Sequence, residues 1–470
     1  MNGTARSMSA FWKLAAAAAL LASCAQPATE QANTDLLFRN ATLIDGTGSP
    51  PQAGVDILVS AGKVVAVGKA LAVPAKGLVI DATGKFVMPG IIDAHTHLHS
   101  PVLAQLTADE RKLMEAHTPR AFLYNGVTTV LNAGSNPRLL EERQAQREGR
   151  LVGPRIFALS ESIKPEGGWG SRHGGAMKDA LSARHTVEEA AAAHADGIKI
   201  IIESGLGDEI THVEIPEDML QVVVEAAKTA KLGTYIHAIG IPEYRRSVGI
   251  GPVAIIHGLG ERLAADDPLI AELAAKNVAV VHTASLFRSF LAPDPRAGAN
   301  LDDPVLVGSV PAFMLAKMRT PGFMQSERDA FVKVSKIEAY QWAEKANPNI
   351  CENIGKMHRG GVKTAVGTDA GGTVGYNFQG YNTPWEVKIL TECGLTPMEA
   401  LVAATRNGAE VIGVADTLGT VEPGKIADML ILSADPLQNI ENIRAIEWIV
   451  QDGKLHPRNE FAYKTGASRP

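Results

Sequence analysis

Eight short apolar runs alternate with helical segments from residue 87 to residue 412, and this alternation restricts the fold more than any other feature of the chain. Such alternation is typical of parallel βα units, and eight units predict an α/β fold of the (β/α)8 TIM-barrel class. The predicted barrel strands are 86–92, 127–131, 155–158, 198–202, 233–236, 254–256, 278–281 and 364–367. Helices are predicted at 186–195 and 216–230, and Thr396 and Glu399 have the capping-box spacing that begins another.

A small β domain is predicted from the two ends of the chain. Residues 35–88 contain four short runs between turn residues, at 36–43, 55–59, 63–67 and 78–81, and similar runs return at 427–432 and 446–450. We predict that residues 35–88 and 413–457 form one β-sandwich domain beside a barrel of residues 89–412. The long, Pro-rich stretch 286–325 between the last two barrel strands predicts a lid or a pocket wall.

The N-terminus has the features of a targeting segment. Arg6 and Lys13 precede an apolar run at 14–21 that is too short to span a bilayer. The run ends in the residues LASC at 21–24, which resemble the bacterial lipoprotein signal box. We therefore expect residues 1–24 to be a lipoprotein signal segment with Cys24 lipidated, and residues 25–34 to be a tether. This predicts an exported protein on the periplasmic side of the outer membrane; an ordinary signal peptide would leave it periplasmic or secreted.

Two further cysteines, Cys351 and Cys393, have no spacing signature. In an exported protein they could form one disulfide. We interpret them instead as two small buried residues.

The charge of the chain restricts its partners. The formal net charge is −6 and there is no long basic block. Nothing therefore indicates binding to nucleic acid, and membrane contact is expected only through the N-terminal lipid anchor. We expect a homo-oligomer that acts on a small molecule.

Metal-binding side chains occur where the apolar runs stop, which in a barrel is the active-site face. His95 and His97 follow the first run with the i, i+2 spacing that points both side chains to one face of a strand. A charged lysine inside the fourth run is costly without a partner or a modification. The full set of candidate ligands is His95, His97, Lys199, His237, His257 and Asp369.

At these residues the chain resembles the amidohydrolase superfamily, and its nearest branch is the imidazolonepropionase-like and prolidase-like exported hydrolases. The resemblance covers residues 36–450. The motifs that carry it are DAHTH at 93–97, the buried Lys199, YIHA at 235–238, IHG at 256–258 and GTDAG at 367–371.

The resemblance implies a centre of two divalent metal ions, with zinc as the expected metal. His95, His97 and Asp369 would hold the more buried ion, and His237 and His257 the second. Lys199, carboxylated by carbon dioxide, would bridge the two ions, because a carbamate supplies two anionic oxygens. A metal-bridging hydroxide would attack the substrate carbonyl, with Asp369 as the catalytic residue that takes the proton. Two simpler interpretations stay open: Lys199 could pair with a carboxylate such as Glu203, and Asp369 could cap a helix.

Substrate contacts are less well specified. His173, in a loop after the third strand, could bind a polarised oxygen. Tyr244, Arg245 and Arg246 follow the fifth strand, where relatives that cleave C-terminal amino acids hold the substrate carboxylate; the alternative is a solvated helix face. His282 could face the substrate or be an ordinary loop histidine.

The predicted function is a metal-dependent hydrolase that cleaves an amide C–N bond in dipeptides or N-acyl amino acids. One alternative is a lactone, carbamate or phosphotriester hydrolase, because the same hydroxide could attack those bonds. A second alternative, from a different class, is a binding protein that keeps the barrel without catalysis.

Overall fold

The computed structural model describes residues 34–134, 137–171, 175–205, 212–292, 300–335, 338–371 and 375–464. The predicted signal segment 1–24, the tether up to residue 33 and the predicted substrate contact His173 lie outside these ranges. Within them, none of the helices combines the length and the apolar character needed to cross a bilayer.

The strands of the described residues are numbered β1 to β18 along the chain. They are β1 (Asp35–Leu43), β2 (Gln52–Ser60), β3 (Lys63–Gly68), β4 (Gly77–Asp81), β5 (Phe86–Pro89), β6 (Ile91–Thr96), β7 (Val127–Asn132), β8 (Arg155–Ala158), β9 (Lys164–Pro165), β10 (Ala176–Met177), β11 (Ile198–Ile201), β12 (Thr234–His237), β13 (Ala254–Ile256), β14 (Ala279–Val281), β15 (Thr364–Ala365), β16 (Met429–Leu432), β17 (Ile446–Gln451) and β18 (Lys454–Pro457).

The α-helices of the same residues are numbered α1 to α14. They are α1 (Ala108–Tyr124), α2 (Pro137–Arg147), α3 (Ala180–Ala192), α4 (Glu217–Thr229), α5 (Ile241–Ile250), α6 (Pro268–Ala275), α7 (Ala284–Ser289), α8 (Pro304–Ser309), α9 (Ala312–Met318), α10 (Phe323–Ser335), α11 (Ala339–Arg359), α12 (Asn382–Glu392), α13 (Pro397–Ala403) and α14 (Arg406–Ile412).

Strands from the two ends of the chain share one mixed sheet. Its order is β18-β17-β16-β5-β1-β2-β3, with β4 also paired to β1. Apolar residues of both segments pack in a common core, for example Phe38 and Ile57 with Met429 and Val450. The joining of the N- and C-terminal segments in one domain is therefore as predicted, and the strand pairing shows a single continuous mixed sheet.

Eight parallel strands form the central part of the molecule. β6, β7 and β8 make one parallel sheet, and β11 to β15 make another. Isolated parallel bridges join the two sheets at both edges, from Leu159 to Gly197 and from Thr96 to Ala370. The strands thus follow one another in chain order, as a TIM barrel requires.

Side chains alternate across these parallel strands. Those of one parity, including Tyr235, Ile256 and Val281, pack with one another inside the ring of strands. Those of the other parity pack against the surrounding helices; they include Ile198, Ile200, Ile202, Ile236, Ile255 and Val280. This alternation decides which residues can face the active site.

The first predicted barrel strand, 86–92, is in fact two strands, and this corrects the prediction. β5 pairs with β1 and β16 in the mixed sheet, whereas β6 pairs with β7 in the barrel. The chain changes sheets at Pro89 and Gly90. A Cβ on Gly90 would lie 2.1 Å from Thr128 Oγ1, so only glycine allows this close passage.

Local sequence signals predict the positions of two helices correctly. α4 has Pro216 and Ala230 at its caps, so the predicted helix 216–230 is confirmed. Thr396 is the N-cap of α13, and its capping box with Glu399 is present as predicted. By contrast, the helix predicted at 186–195 begins earlier, at Ala180, because Asp179 and Ser182 form the cap.

The long segment between β14 and β15 is helical. α7 to α10 come from it, and α8 to α10 pack with Val102, Leu103 and Tyr376 in a separate apolar cluster. Residues 293–299, within the stretch predicted as a lid or pocket wall, lie outside the described residues.

Cys351 and Cys393 are joined by a disulfide, with their Cα atoms 4.9 Å apart. The interpretation as two separate buried residues was therefore wrong. Cys351 is on α11 and Cys393 caps α12. Packing of these two helices brings the cysteines together, and no local sequence spacing could show it.

Candidate metal centre

The two histidines of the DAHTH motif meet Asp369 where the first and last barrel strands join. The backbone N–H groups of Thr368 and Asp369 both donate to the His95 carbonyl, at 2.9 and 2.7 Å. Asp369 Oδ1 lies 3.1 Å from His95 Nε2 and 2.8 Å from His97 Nε2. This buried oxygen has no partner in hydrogen-bond geometry. The three side chains therefore converge on one point from two strands.

His237 and His257 extend this cluster along the neighbouring strand ends. Their ring centroids are 4.3 Å apart, and the ring of His257 lies 5.3 Å from that of His95. One ligand atom from each of His95, His257 and Asp369 lies within 4.8 Å of the others. Imidazole nitrogens and a carboxylate in such a group match the ligand set that zinc prefers.

The outer nitrogens of the second histidine pair have partners. His257 Nδ1 lies 2.9 Å from Thr283 Oγ1, and His237 Nε2 contacts Glu203 Oε2. A metal-bound histidine characteristically uses its second ring nitrogen in this way, which fixes the orientation of the ring. Because these contacts use Nδ1 of His257 and Nε2 of His237, the other ring nitrogen of each histidine is the one that could bind a metal ion.

The electrostatics favour neutral His95 and His257 and an ionised Asp369. Burial, together with the nearby Lys199 ammonium, lowers the pKa of His95 to about 3. Burial and the His237 ring likewise hold the pKa of His257 well below its ordinary value. Although burial raises the pKa of Asp369, the adjacent His97 and His95 rings hold it well below the ordinary value. Neutral imidazole and carboxylate are the forms that bind metals.

Lys199 lies on the inward-facing side of β11, and its environment fits the predicted modification. Its Nζ is buried and has no hydrogen-bond partner. Glu203, the alternative partner suggested by the sequence, contacts His237 instead. Burial lowers the pKa of Lys199 to about 7, against the opposite effect of the Asp369 carboxylate. A neutral amine is the form of lysine that can take up carbon dioxide.

Three residues at this face have backbone angles that are unusual for residues other than glycine. His257, Thr283 and Asp369 have φ values of 86°, 48° and 51°. Left-handed backbone at such residues costs free energy and concentrates at functional sites. The strain at three neighbouring strand ends therefore marks the same site as the side-chain geometry.

Asp93 was not among the predicted site residues. Its fully buried carboxylate accepts hydrogen bonds from Thr368 Oγ1 at 2.8 Å and Thr383 Oγ1 at 2.9 Å, and from the backbone N–H groups of His95 and Thr368. It thus fixes the chain around Asp369 to the strand that carries His95. The sequence signal that could have identified Asp93 is a charged residue inside an otherwise apolar, buried strand.

The three predicted substrate contacts after β12 have partners within the protein. Tyr244 is fully buried, and its hydroxyl donates to the His257 carbonyl. Arg245 pairs with Asp267 at 2.9 Å on the surface. Arg246 pairs in the same way with Glu214 and Glu217, at 3.1 and 3.0 Å. A role for these residues in binding a substrate carboxylate stays a prediction.

His282 has the strand parity of Val280, which packs against the helices outside the barrel. It is buried, its Nε2 has no hydrogen-bond partner, and its pKa is lowered to about 3 by burial and by the charge of His358 on α11. The parity and this neighbour place the ring toward the helix layer. Its predicted contact with substrate has no support in this arrangement.

The comparison with protein families identifies the class of the protein. Residues 86–455 match the model of the Amidohydrolase family, and the chain belongs to that family. The prediction of an enzyme of the amidohydrolase class is confirmed.

Individual relatives are more distant. The chain is 35% identical over 138 residues to a dihydroorotase of Thermoanaerobacter sp. (strain X514), a stretch that covers 28% of this chain and only 30% of the relative. It is 23% identical over 399 residues to an imidazolonepropionase of Brevibacillus brevis, covering 80% of this chain and 82% of the relative. The crystal structure of a Xaa-Pro dipeptidase with bound methionine in the active site has a TM-score of 0.72 at 22% identity, covering 90% of this chain and all of that one. This last likeness supports the TIM-barrel fold.

Proposed function

We propose that the protein is a metal-dependent hydrolase that cleaves the amide C–N bond of dipeptides or N-acyl amino acids. The observation that carries the proposal is the convergence of His95, His97 and Asp369 beside the His237–His257 pair. The proposed substrate class is supported by a similar fold in a dipeptidase that holds an amino acid in its active site.

The same residues define how metals would be held. We propose His95, His97 and Asp369 as ligands of one divalent ion and His237 and His257 as ligands of a second, with Zn²⁺ as the expected metal. Bound ions would polarise the scissile carbonyl and make water a nucleophile near neutral pH. A carbamate on Lys199 would give both ions an anionic oxygen, and the buried, unpartnered Nζ supports this assignment.

Asp369 is the proposed catalytic residue. Its Oδ1 lies 3.1 Å from His95 Nε2 and 2.8 Å from His97 Nε2, where it could accept the proton of the attacking water and deliver it to the leaving nitrogen. Its low pKa keeps the carboxylate ionised near neutral pH, which is the form that can accept a proton. The Asp93 network holds the neighbouring residue Thr368 in place, and Asp369 itself has a left-handed backbone with φ 51°.

We also propose that the protein is exported, as its N-terminal sequence predicts. The Cys351–Cys393 disulfide supports this, because disulfides persist mainly in oxidising compartments. Anchoring through Cys24 and assembly as a homo-oligomer stay predictions.

A hydrolysis screen of the chain from residue 25 onward, supplied with zinc and bicarbonate, tests the proposed function. The panel contains dipeptides, N-acyl amino acids, lactones, a carbamate and a phosphotriester. We expect release of free amino acid from the amide substrates, and loss of that release after chelation of the metal. Preferred cleavage of lactones or triesters, or no amide cleavage by fully metallated protein, would contradict the proposal.

A further inference from the structure

Lys164 on β9 faces the inside of the barrel. The Ile163 N–H donates to the Lys199 carbonyl at 2.9 Å, and the Ile201 N–H donates to the Ile163 carbonyl at 3.0 Å. These two bonds make Ile163 and Ile200 partners in a parallel bridge. Both side chains pack in the apolar cluster between the strands and the outer helices. Because side chains alternate along a strand, Lys164 points to the opposite face, which is the interior.

This register sets Lys164 level with one of the proposed metal ligands. One residue beyond the Ile163–Ile200 bridge, Lys164 is level with Ile201, and Ile201 pairs with His237 on β12. Lys164 and His237 thus belong to one layer of inward-facing positions, on strands that are two apart. Since neighbouring strands lie about 4.8 Å from each other, the two Cα atoms are separated by roughly 10 Å. Lys164 therefore lies on the face of the barrel that carries the proposed metal centre.

The ammonium group of Lys164 is poorly matched by the protein. The residue is 7% exposed, and in the described part of the chain the one hydrogen-bond partner of Nζ is the Ser162 carbonyl, at 3.3 Å. Burial lowers the pKa of Lys164, and the exposed Glu161 carboxylate opposes this effect from beyond ion-pair distance. An ammonium has three donors, and a buried cation without a counter-ion is costly. Two donors are thus left for an anionic ligand.

The stem of this side chain is enclosed by the loop that follows β9. A Cβ on Gly170 would lie 3.9 Å from Lys164 Cδ and 4.0 Å from Cε, so the loop backbone packs against the aliphatic part. Two bonds stabilise the loop: the Gly168 N–H donates to the Pro165 carbonyl, and the Ser171 N–H donates to the Gly168 carbonyl, both at 3.0 Å. The methylene groups are therefore held by protein, and the amino group is the part that can meet a ligand.

We infer that Lys164 binds the C-terminal carboxylate of the substrate. This rests on the proposed function and narrows it: the enzyme cleaves the bond to a C-terminal amino acid and discriminates against substrates in which that carboxylate is blocked. A charge-assisted hydrogen bond to Nζ would supply the counter-ion that the described residues do not. Arg245 and Arg246, expected from the sequence to bind this carboxylate, pair instead with carboxylates of the protein.

A matched pair of ligands tests this inference. Alanyl-leucine and alanyl-leucinamide share the scissile amide and differ in the charge of the terminal group. We use the Asp369→Asn protein, which should bind without turnover, and expect it to bind alanyl-leucine at least about tenfold more tightly in titration calorimetry, the lower end for a hydrogen bond between charged groups. Adding Lys164→Met should remove most of that preference, because methionine keeps an unbranched apolar stem beside Gly170 and loses the charge. Affinity for alanyl-leucinamide should change little.

Lys228→Met, an exposed neutralisation on α4, is the matched control and should leave the preference unchanged. Zinc content and the thermal unfolding midpoint of each protein separate a lost carboxylate contact from a disturbed site. Equal affinities for the two ligands, no binding of alanyl-leucine, a preference that survives Lys164→Met, or an equal loss for both ligands would overturn the assignment. If Lys164→Met removes the preference but the wild-type enzyme cleaves neither ligand, the proposed amide hydrolysis is wrong and the carboxylate site stands.

Discussion

Replacing Thr283 by valine isolates the contribution of one outer contact to the proposed metal centre. Thr283 is fully buried, and its Oγ1 is the hydrogen-bond partner of His257 Nδ1 at 2.9 Å. Valine has nearly the same shape and the same branching at Cβ. The free-energy cost of the left-handed backbone at this position is therefore about the same in both proteins. The change therefore removes a hydroxyl and little else.

The expected effect follows from that single bond. Without Oγ1, the buried Nδ1–H of His257 loses its acceptor, which costs about 1–3 kcal/mol. The ring is then free to rotate or to change tautomer, and loss of such a partner lowers metal affinity by roughly 10–100-fold. The backbone of the next two residues stays fixed, because the Ala284 and Ser285 N–H groups donate to Glu386 at 2.9 and 2.6 Å.

Zinc affinity is measured by competition with a chromophoric chelator, and total zinc per chain by elemental analysis. Thr283→Ser keeps the hydroxyl and should retain affinity within a few-fold of wild type, which makes it the control. The reasoning is refuted if Thr283→Val binds zinc as tightly as wild type, or if Thr283→Ser loses as much affinity as the valine variant.

Three further predictions address the site and the scaffold. Asp369→Asn should abolish most turnover while zinc stays bound, because the amide can still offer an oxygen but cannot take a proton; near-normal rates would exclude the proton-transfer role. Lys199→Ala should lower zinc content, and short carboxylic acids should partly restore it; unchanged stoichiometry by elemental analysis would exclude a bridging carbamate. Replacing both Cys351 and Cys393 by serine opens a cross-link between residues 42 apart, which should cost about 4 kcal/mol of unfolding free energy in denaturant melts. An unchanged midpoint would show that the cross-link adds no stability.

The sequence predicts the barrel and the proposed ligands because both depend on local patterns. A buried parallel strand is a short apolar run, and an active-site residue lies where the run stops, so His237 and His257 could be found from position alone. The change of sheets at Gly90 could not be predicted from the sequence, because the apolar run continues on both sides of Pro89 and Gly90. What separates β5 from β6 is the close passage against Thr128, which is a tertiary contact.

The residues around the proposed ligands show the same difference between what a local sequence pattern predicts and what only tertiary packing decides. The resemblance to relatives that hold a substrate carboxylate after the fifth strand suggested Tyr244 and Arg245 as substrate contacts, but the direction of a side chain on α5 depends on how the helix packs. That packing directs Tyr244 into the core and Arg245 to the surface. Glu203, four residues after Lys199, has the inward parity that strand alternation could have revealed, whereas its contact with His237 is visible only in three dimensions.

The hydrogen bonds between Asp93 and Thr368 join parts of the chain that are 275 residues apart. His95 is therefore made early during synthesis, and Asp369 becomes available only after nearly the whole barrel has emerged. The two cannot share a metal ion until the last strand has met the first. Tight zinc uptake would then report completion of the barrel, and a chain truncated before β15 would hold its histidines without the carboxylate that completes their site.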